Sequence, residues 1–208
     1  MSRSHAFAAA GLAAVLTLSA AAVVQAQDGF SRAPAEVRAG TYTLDPGHSR
    51  ITWSVSHFGF STYVGQFPAV TGELTIDPKS PEAAQLAVKV DTDKVGTLDP
   101  ALDKHLKSAD FLDTAKFPAA TFKATKVQRT GERTAKITGD LTLHGVTRSI
   151  TLDAEFNQAG VNPIDKKYSL GFDAEGKIKR SDFGITTYVP GIGDEVELEI
   201  EAELKLAS

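Results

Sequence analysis

The chain has 208 residues, a formal net charge of −4, 42% hydrophobic residues and no cysteine. A chain of this size can bury a sizeable core without disulfide bonds or metal ions, and the lack of cysteine excludes thiolate metal sites and cysteine nucleophiles. Lysines and arginines are interspersed with acidic residues and form no basic cluster. This pattern argues against binding to nucleic acid or to an anionic membrane surface.

The first 26 residues have the pattern of a secretory signal peptide. Arg3 and His5 precede an uncharged, weakly apolar run over residues 6–24, and small side chains lie around Ala26, as a signal peptidase requires. The alternative is an uncleaved membrane anchor, because the run approaches the roughly 20 residues of a spanning helix. Alanine partitions weakly into hydrocarbon, so we favour cleavage after Ala26, export, and no stable membrane insertion of the mature chain. Residues 27–40 are polar and aperiodic and are predicted to be a flexible leader.

Residues 41–208 are predicted to form a single all-β domain. Between Val196 and Leu206 apolar residues alternate with mostly charged ones, a period of two that gives a strand one dry and one wet face. Seven more alternating segments begin near Ile51, Leu74, Leu86, Ala120, Ala135, Ile150 and Tyr168. Short links favour antiparallel pairing. Eight such strands fit a sandwich or a closed barrel, and the up-and-down order favours an eight-stranded antiparallel, lipocalin-like barrel.

A short helix is predicted between the third and fourth strands, over residues 99–109. Asp99 is a suitable N-cap and Pro100 a suitable first helical residue. An apolar stripe at helical spacing includes Leu98, Leu102 and Leu106. We expect this insertion to lie across an end or flank of the barrel.

Many inward positions of the predicted barrel are small, which leaves room for a ligand. An eight-stranded barrel can be filled by side chains or can hold one small ligand, and the small residues could instead fit the taper of a packed core. The small inward residues are Ala135, Gly139, Ala154, Ala174, Gly176 and Ala202. Aromatic residues in the connections could ring the mouth of a cavity, and as a set they suit an apolar ligand with few polar anchors. They are Phe58, Phe60, Tyr63, Phe67, Phe111, Phe117, Phe183 and Tyr188.

The patterns of a catalytic site are missing from the sequence. His48, His57, His105 and His144 are scattered without metal-ligand spacing, and neither a nucleophile elbow nor a phosphate-binding glycine loop occurs. We therefore predict no catalysis, no metal and no cofactor other than a bound lipid. Two alternatives stay open: a periplasmic enzyme acting on a lipid headgroup, and a stress-related interaction module with a filled lumen. Arg180 either fixes a loop or meets an anionic headgroup.

Several motifs occur in order along the chain. They include Tyr42-x-Leu44-Asp45-x-x-His48-Ser49, Asp103-x-His105-Leu106, Gly139-x-Leu141-Thr142-Leu143 and Arg180-x-Asp182-Phe183-Gly184. Together they resemble the YceI family of exported lipid-binding proteins, over nearly the whole chain after residue 41. One departure from the family pattern is Lys104, where many members carry arginine. If this side chain contacts the lipid headgroup, replacing the forked guanidinium of arginine by the single ammonium of lysine would alter which headgroup is preferred.

The resemblance implies a lumen that holds a polyisoprenoid, such as a quinone tail or a polyprenyl phosphate. It also implies a periplasmic location and raises the expectation of a homodimer. His57 and His105 are the predicted polar anchors of the lipid. The predicted tunnel lining is Trp53, Val55, Leu141, Phe156, Leu170 and Phe172. The residues predicted at the mouth or bend are Phe60, Phe67, Phe111, Phe122, Phe183 and Ile185.

Overall fold

A computed structural model describes residues 29–68 and 70–207 of the chain. The predicted signal peptide, residues 1–26, lies outside the described residues. Within the described ranges, no helix is both long and apolar enough to cross a membrane.

The described part of the chain contains eleven strands and one α-helix. The strands are β1 (Phe30–Ser31), β2 (Gly40–Leu44), β3 (Arg50–His57), β4 (Ser61–Pro68), β5 (Thr71–Ile76), β6 (Gln85–Asp91), β7 (Ala119–Arg129), β8 (Thr134–Leu143), β9 (Val146–Val161), β10 (Tyr168–Lys179) and β11 (Ile192–Leu206). Helix α1 (Pro100–Leu106) follows β6, and 3₁₀ turns cover Pro34–Glu36, Pro81–Ala83, Thr92–Lys94 and Arg180–Phe183.

These strands close into an eight-stranded antiparallel barrel, which confirms the predicted fold class. β2 and β3 lie end to end along one edge of β11, and β5 and β4 lie end to end beside them. Each of these two pairs therefore acts as one interrupted strand of the barrel. The ring continues from β5 through β6, β7, β8, β9 and β10, and β10 pairs with the other edge of β11. Closure removes the free edges that an open sheet presents.

The predicted helix is present but shorter than expected. The Asp99 carboxylate accepts hydrogen bonds from the backbone N–H groups of Ala101 at 2.9 Å and Leu102 at 3.4 Å, which confirms the N-cap. Helix α1 ends at Leu106 instead of continuing to residue 109. Leu98 precedes the helix with a left-handed φ of 67° and is fully exposed, so its place in the predicted apolar stripe was wrong.

The leader is packed against the barrel in its described part, contrary to the prediction of flexibility for residues 27–40. Strand β1 pairs with the end of β9, and Val37 belongs to the buried core. The Tyr42 hydroxyl, which is fully buried, donates to the backbone carbonyl of Arg38 at 2.6 Å, and burial raises the pKa of Tyr42 to about 12. A short strand and a 3₁₀ turn have no repeating hydrophobic period, so the sequence pattern did not reveal this packing.

Two further features were not visible as alternation in the sequence. Tyr63 and Phe67 lie on β4, not in a connection as predicted. In β7 an irregularity between Ala124 and Lys126 shifts the register against β8. This shift turns Val127 and Arg129 toward the lumen, because one extra residue exchanges the two faces of a strand.

Candidate ligand-binding lumen

The barrel encloses a cavity of about 360 Å³, called here the inner cavity. Its walls are the inward faces of all the barrel strands except β4, and the leader covers it with Ala33, Pro34, Ala35 and Val37. The lining is apolar because period-two alternation sends the aliphatic side chains of each strand inward. Its larger lining residues include Ile51, Leu86, Val88, Phe122, Ile137, Leu141, Leu152, Phe156, Phe172 and Ile200.

A second cavity of about 520 Å³, the outer cavity, lies at the end of the barrel that carries helix α1. Leu102, His105 and Leu106 of α1 form part of its wall, and Phe111 and Leu112 follow from the next loop. The barrel contributes mainly aliphatic and aromatic side chains from β3, β4, β10 and β11. They are Trp53, Val55, His57, Tyr63, Phe67, Ile178, Val196 and Leu198.

The two cavities follow each other along the same pair of strands. β3 pairs with β11 so that Ile51 faces Ile200, Trp53 faces Leu198, and Val55 faces Val196. The first pair lines the inner cavity, the last pair lines the outer cavity, and Leu198 lines both. The cavities are therefore consecutive parts of one lumen.

Eleven of the fourteen predicted site residues line this lumen. Trp53, Val55, His57, Phe67, His105, Phe111 and Ile185 line the outer cavity, and Phe122, Leu141, Phe156 and Phe172 line the inner one. Phe122, which was expected at the mouth or bend of the tunnel, lines the inner cavity.

Three predicted site residues lie elsewhere. Phe60 is 91% exposed in the turn between β3 and β4. Leu170 is fully buried in the core cluster that also contains Tyr42 and Leu204. Phe183 is 1% exposed within the 3₁₀ turn Arg180–Phe183, and its carbonyl lies 3.1 Å from His144 Nδ1. None of these three residues lines the inner or the outer cavity.

The two predicted polar anchors face the same cavity. The His57 ring meets Phe58 edge-on with centroids 4.9 Å apart, and the His105 ring meets Phe111 edge-on at 5.0 Å. His105 Nε2 also lies 3.5 Å from a carboxylate oxygen of Asp110. The outer cavity thus combines an apolar wall with a few polar groups, as ligand sites commonly do.

Arg180 is 6% exposed and also lines the outer cavity. Its guanidinium donates to four backbone carbonyls, those of Ile185 at 3.2 Å, Thr187 at 2.9 Å, Ile192 at 2.9 Å and Gly193 at 2.8 Å. Burial lowers the pKa of Arg180 from its ordinary value. The side chain therefore fixes the segment from residue 185 to residue 193, which was the first of its two predicted roles.

Trp53 lies against a glycine of the neighbouring strand. Trp53 and Gly65 are directly paired between β3 and β4. A Cβ atom on Gly65 would lie 2.6 Å from Trp53 Cε2 and 2.9 Å from Cη2, so the indole occupies the space of a missing side chain. The indole Nε1 is buried and has no hydrogen-bond partner in the described part of the chain. Packing alone holds this ring in place.

A polar cluster outside the cavity lining joins the corner between β2 and β3 to β11. Asp45, His48 and Glu203 are the one group of possible metal ligands close together in the described ranges. The Lys205 ammonium lies 2.6 Å from Asp45, and His48 Nδ1 lies 2.8 Å from the same carboxylate oxygen. These contacts lower the pKa of Asp45, and hydrogen bonds to Asp165 and then to Asp45 raise the pKa of Lys205. The cluster acts as an ion-paired clamp on the chain corner.

Sequence reasoning missed part of the lining. Leu112, Leu143 and Ile192 line the outer cavity although no site role was assigned to them. The leader residues from Ala33 to Val37 were missed because they have no periodicity. Val196 and Leu198 were recognised as inward-facing, and their alternation was the signal that could have placed them in the site.

A closed antiparallel barrel with an apolar lumen defines the class of this protein as a lipocalin-like barrel. The profile of the YceI-like domain matches residues 42–204. The chain is 42% identical over 167 residues to Protein YceI of Salmonella arizonae, covering 79% of this chain and 86% of that protein. The chain therefore belongs to the YceI family, as the motifs indicated.

Solved structures agree with this assignment. The YCEI protein of Campylobacter jejuni superposes with a TM-score of 0.66 at 34% identity, covering 74% of this chain and 90% of that one. Burkholderia cenocepacia BcnA shares the fold with a TM-score of 0.70 at 20% identity, covering 77% and 98% of the two chains. A polyisoprenoid binding domain from Saccharophagus degradans has a TM-score of 0.59 at 15% identity, covering 82% and 100%.

Proposed function

We propose that this protein binds a long-chain isoprenoid lipid in its lumen and carries it through the periplasm without catalysing a reaction. The observation that carries the proposal is the pair of consecutive apolar cavities inside a closed barrel. A flexible hydrocarbon chain can follow such a lumen, whereas a compact polar ligand would leave its own polar groups unpaired.

The energetics favour a chain that is buried over much of its length. Each buried CH₂ group contributes about 0.8 kcal/mol, so ten such groups contribute about 8 kcal/mol before the cost of ordering the chain is subtracted. His57 and His105 line the outer cavity, and this position supports the proposal that they contact a polar end of the lipid. The fold shared with a polyisoprenoid binding domain supports an isoprenoid as the ligand class.

The signal peptide predicted over residues 1–26 supports a periplasmic location, and a quinone tail or a polyprenyl phosphate would be a suitable cargo there. A homodimer remains a further expectation of family membership. The alternatives of a headgroup-modifying enzyme and of an interaction module with a filled lumen are outcomes of the experiments below.

The first experiment is native mass spectrometry of the purified mature protein, followed by organic extraction and identification of the extract. We expect a polyprenyl or quinone species at one molecule per chain. A protein that is purified empty and takes up no added isoprenoid would contradict the proposal and favour the interaction module. Release of a chemically altered headgroup would favour the enzyme.

Two substitutions test whether the inner cavity holds the lipid. Leu141→Arg introduces a charge into the apolar wall, and Ala174→Phe fills the same cavity without a charge. We expect both variants to lose most of the extractable lipid while circular dichroism still shows a folded barrel. Asp140→Arg is the matched control, because Asp140 is the exposed neighbour of Leu141. Wild-type lipid recovery from both cavity variants would contradict binding in the inner cavity.

A further inference from the structure

The level at which the two cavities meet, beside Leu198, which lines both, and its pair partner Trp53, is called here the waist of the lumen. Trp53 is paired with Leu198 on one side and with Gly65 on the other. Ile51, the preceding inward residue of β3, lines the inner cavity, and Val55, the following one, lines the outer cavity. A chain that occupies both cavities must therefore pass Trp53.

The position of the indole at the waist depends on the absence of a side chain at Gly65. Directly paired residues of antiparallel strands place their side chains on the same face, and the indole fills the space that a Gly65 side chain would take. The unpartnered Nε1 means that no hydrogen bond to the described residues anchors the ring. The ring can therefore be displaced without breaking a hydrogen bond within the described part of the chain.

We propose that Trp53, seated on Gly65, determines how long a lipid chain the lumen accepts. With the indole against the barrel wall, the two cavities form one continuous site for a long chain. With the indole turned across the waist, a chain can fill one cavity only. One ring suffices to close the passage, because the interior of an eight-stranded barrel is just wide enough for side chains to fill it.

This inference rests on the proposed function and gives the ligand class a chain-length requirement. Trp53 is the single tryptophan of the chain, so its fluorescence reports on its own environment. Intrinsic fluorescence therefore follows the environment of this one indole, both when a ligand binds and when Gly65 is changed.

The test is the substitution Gly65→Ala, whose methyl group would overlap the indole and displace it from the wall. Gly171→Ala is the matched control, because Gly171 also lies in a strand and a Cβ there meets nothing closer than 3.5 Å. The probes are farnesol, a short prenyl alcohol, and solanesol, a long one, with binding followed by tryptophan fluorescence and by native mass spectrometry.

We expect wild-type protein and Gly171→Ala to bind both alcohols. Gly65→Ala should bind farnesol with a dissociation constant close to that of the wild type, and solanesol about tenfold more weakly or worse, a difference of about 1.4 kcal/mol. Its emission maximum without ligand should differ from that of the wild type. The double variant Gly65→Ala/Trp53→Val should recover solanesol binding, because valine is too small to cross the waist; since this variant has no tryptophan, native mass spectrometry alone measures its binding.

Wild-type binding of solanesol by Gly65→Ala would overturn the role of Trp53 and leave the proposed function intact. Loss of both alcohols by a folded Gly65→Ala protein, or failure of the double variant to recover solanesol, would also overturn it. Failure of the wild type to bind either alcohol would instead refute the proposed function. If Gly65→Ala does not fold, Leu198→Phe narrows the same waist and takes its place in the test. We then expect Leu198→Phe to lose solanesol binding and the added substitution Trp53→Val to restore it, and the absence of either result would overturn the role of Trp53.

Discussion

Replacement of Arg180 by methionine should destabilise the end of the barrel that holds the outer cavity. Methionine keeps an unbranched, mostly apolar side chain but removes the guanidinium that donates to Ile185, Thr187, Ile192 and Gly193. Four buried or partly buried carbonyls would then lose this donor. These carbonyls belong to the segment that precedes β11 and to its first residues, and this segment contributes Ile185, Tyr188 and Ile192 to the outer cavity.

The size of the effect follows from the number of these bonds. A typical hydrogen bond contributes about 1 kcal/mol net to stability, so four contribute about 4 kcal/mol. Part of this is offset because the variant no longer buries a charge. We therefore expect the free energy of unfolding to fall by about 3 kcal/mol. For a domain of this size, about 1 kcal/mol corresponds to roughly 2–4 °C in melting temperature, so the midpoint should fall by roughly 10 °C.

The assay is thermal and urea unfolding followed by circular dichroism and by Trp53 fluorescence. Arg148→Met is the matched control, because Arg148 is exposed and its guanidinium bonds to the carbonyl of the adjacent Thr147. Arg180→Lys should remain destabilised, since a single ammonium cannot reproduce the planar fork of donors.

A melting temperature of Arg180→Met within about 2 °C of the wild type would refute this reasoning. Full stability of Arg180→Lys would show that the charge, and not the donor geometry, holds the segment.

Two further predictions concern the helix that lines the outer cavity and the ion-paired corner. Asp99→Ala removes the N-cap of α1 and should lower the free energy of unfolding by about 1 kcal/mol. Because α1 forms part of the wall of the outer cavity, farnesol should also exchange faster in this variant than in the exposed control Asp140→Ala. An unchanged exchange rate would show that α1 does not limit the passage of the ligand. The hydrogen bond to Asp45, followed by the charge of Glu203, raises the pKa of His48. The protonated His48 therefore stabilises the folded state fully below the histidine pKa of the unfolded chain, and this contribution is lost as the pH rises through the pKa of the folded state. The urea midpoint of the wild type should exceed that of His48→Gln most clearly at about pH 5.5 and least at about pH 9; a pH-independent difference would contradict the ion-pair role.

Local sequence patterns predicted eight of the eleven strands and the start of the helix. The alternation from Val196 to Leu206 identified β11, because the backbone of any extended strand sends successive side chains to opposite faces. Asp99 and Pro100 identified the start of α1, because capping involves only atoms within one turn. These signals depend on neighbours in the sequence, so no knowledge of the rest of the chain was needed.

The shape of the site depended on contacts between distant segments. Arg129 faces the lumen because of the register shift in β7, and Val37 is buried because the leader meets the barrel end. Phe60 and Phe183 resemble cavity residues in composition, yet one is exposed and the other is buried away from both cavities. Composition cannot distinguish these cases, because the presence of a phenylalanine in a turn does not determine which distant segment packs against it.

The sequence by itself therefore determined eight of the eleven strands, their dry faces and the family motifs, since each depends on short-range periodicity or on the order of residues. The division of the lumen into two cavities, the packing of Trp53 on Gly65 and the four acceptors of Arg180 came from the tertiary structure alone. Each of these arises when strands or loops meet in a particular register, and pairing register is a property of two segments together and not of either one.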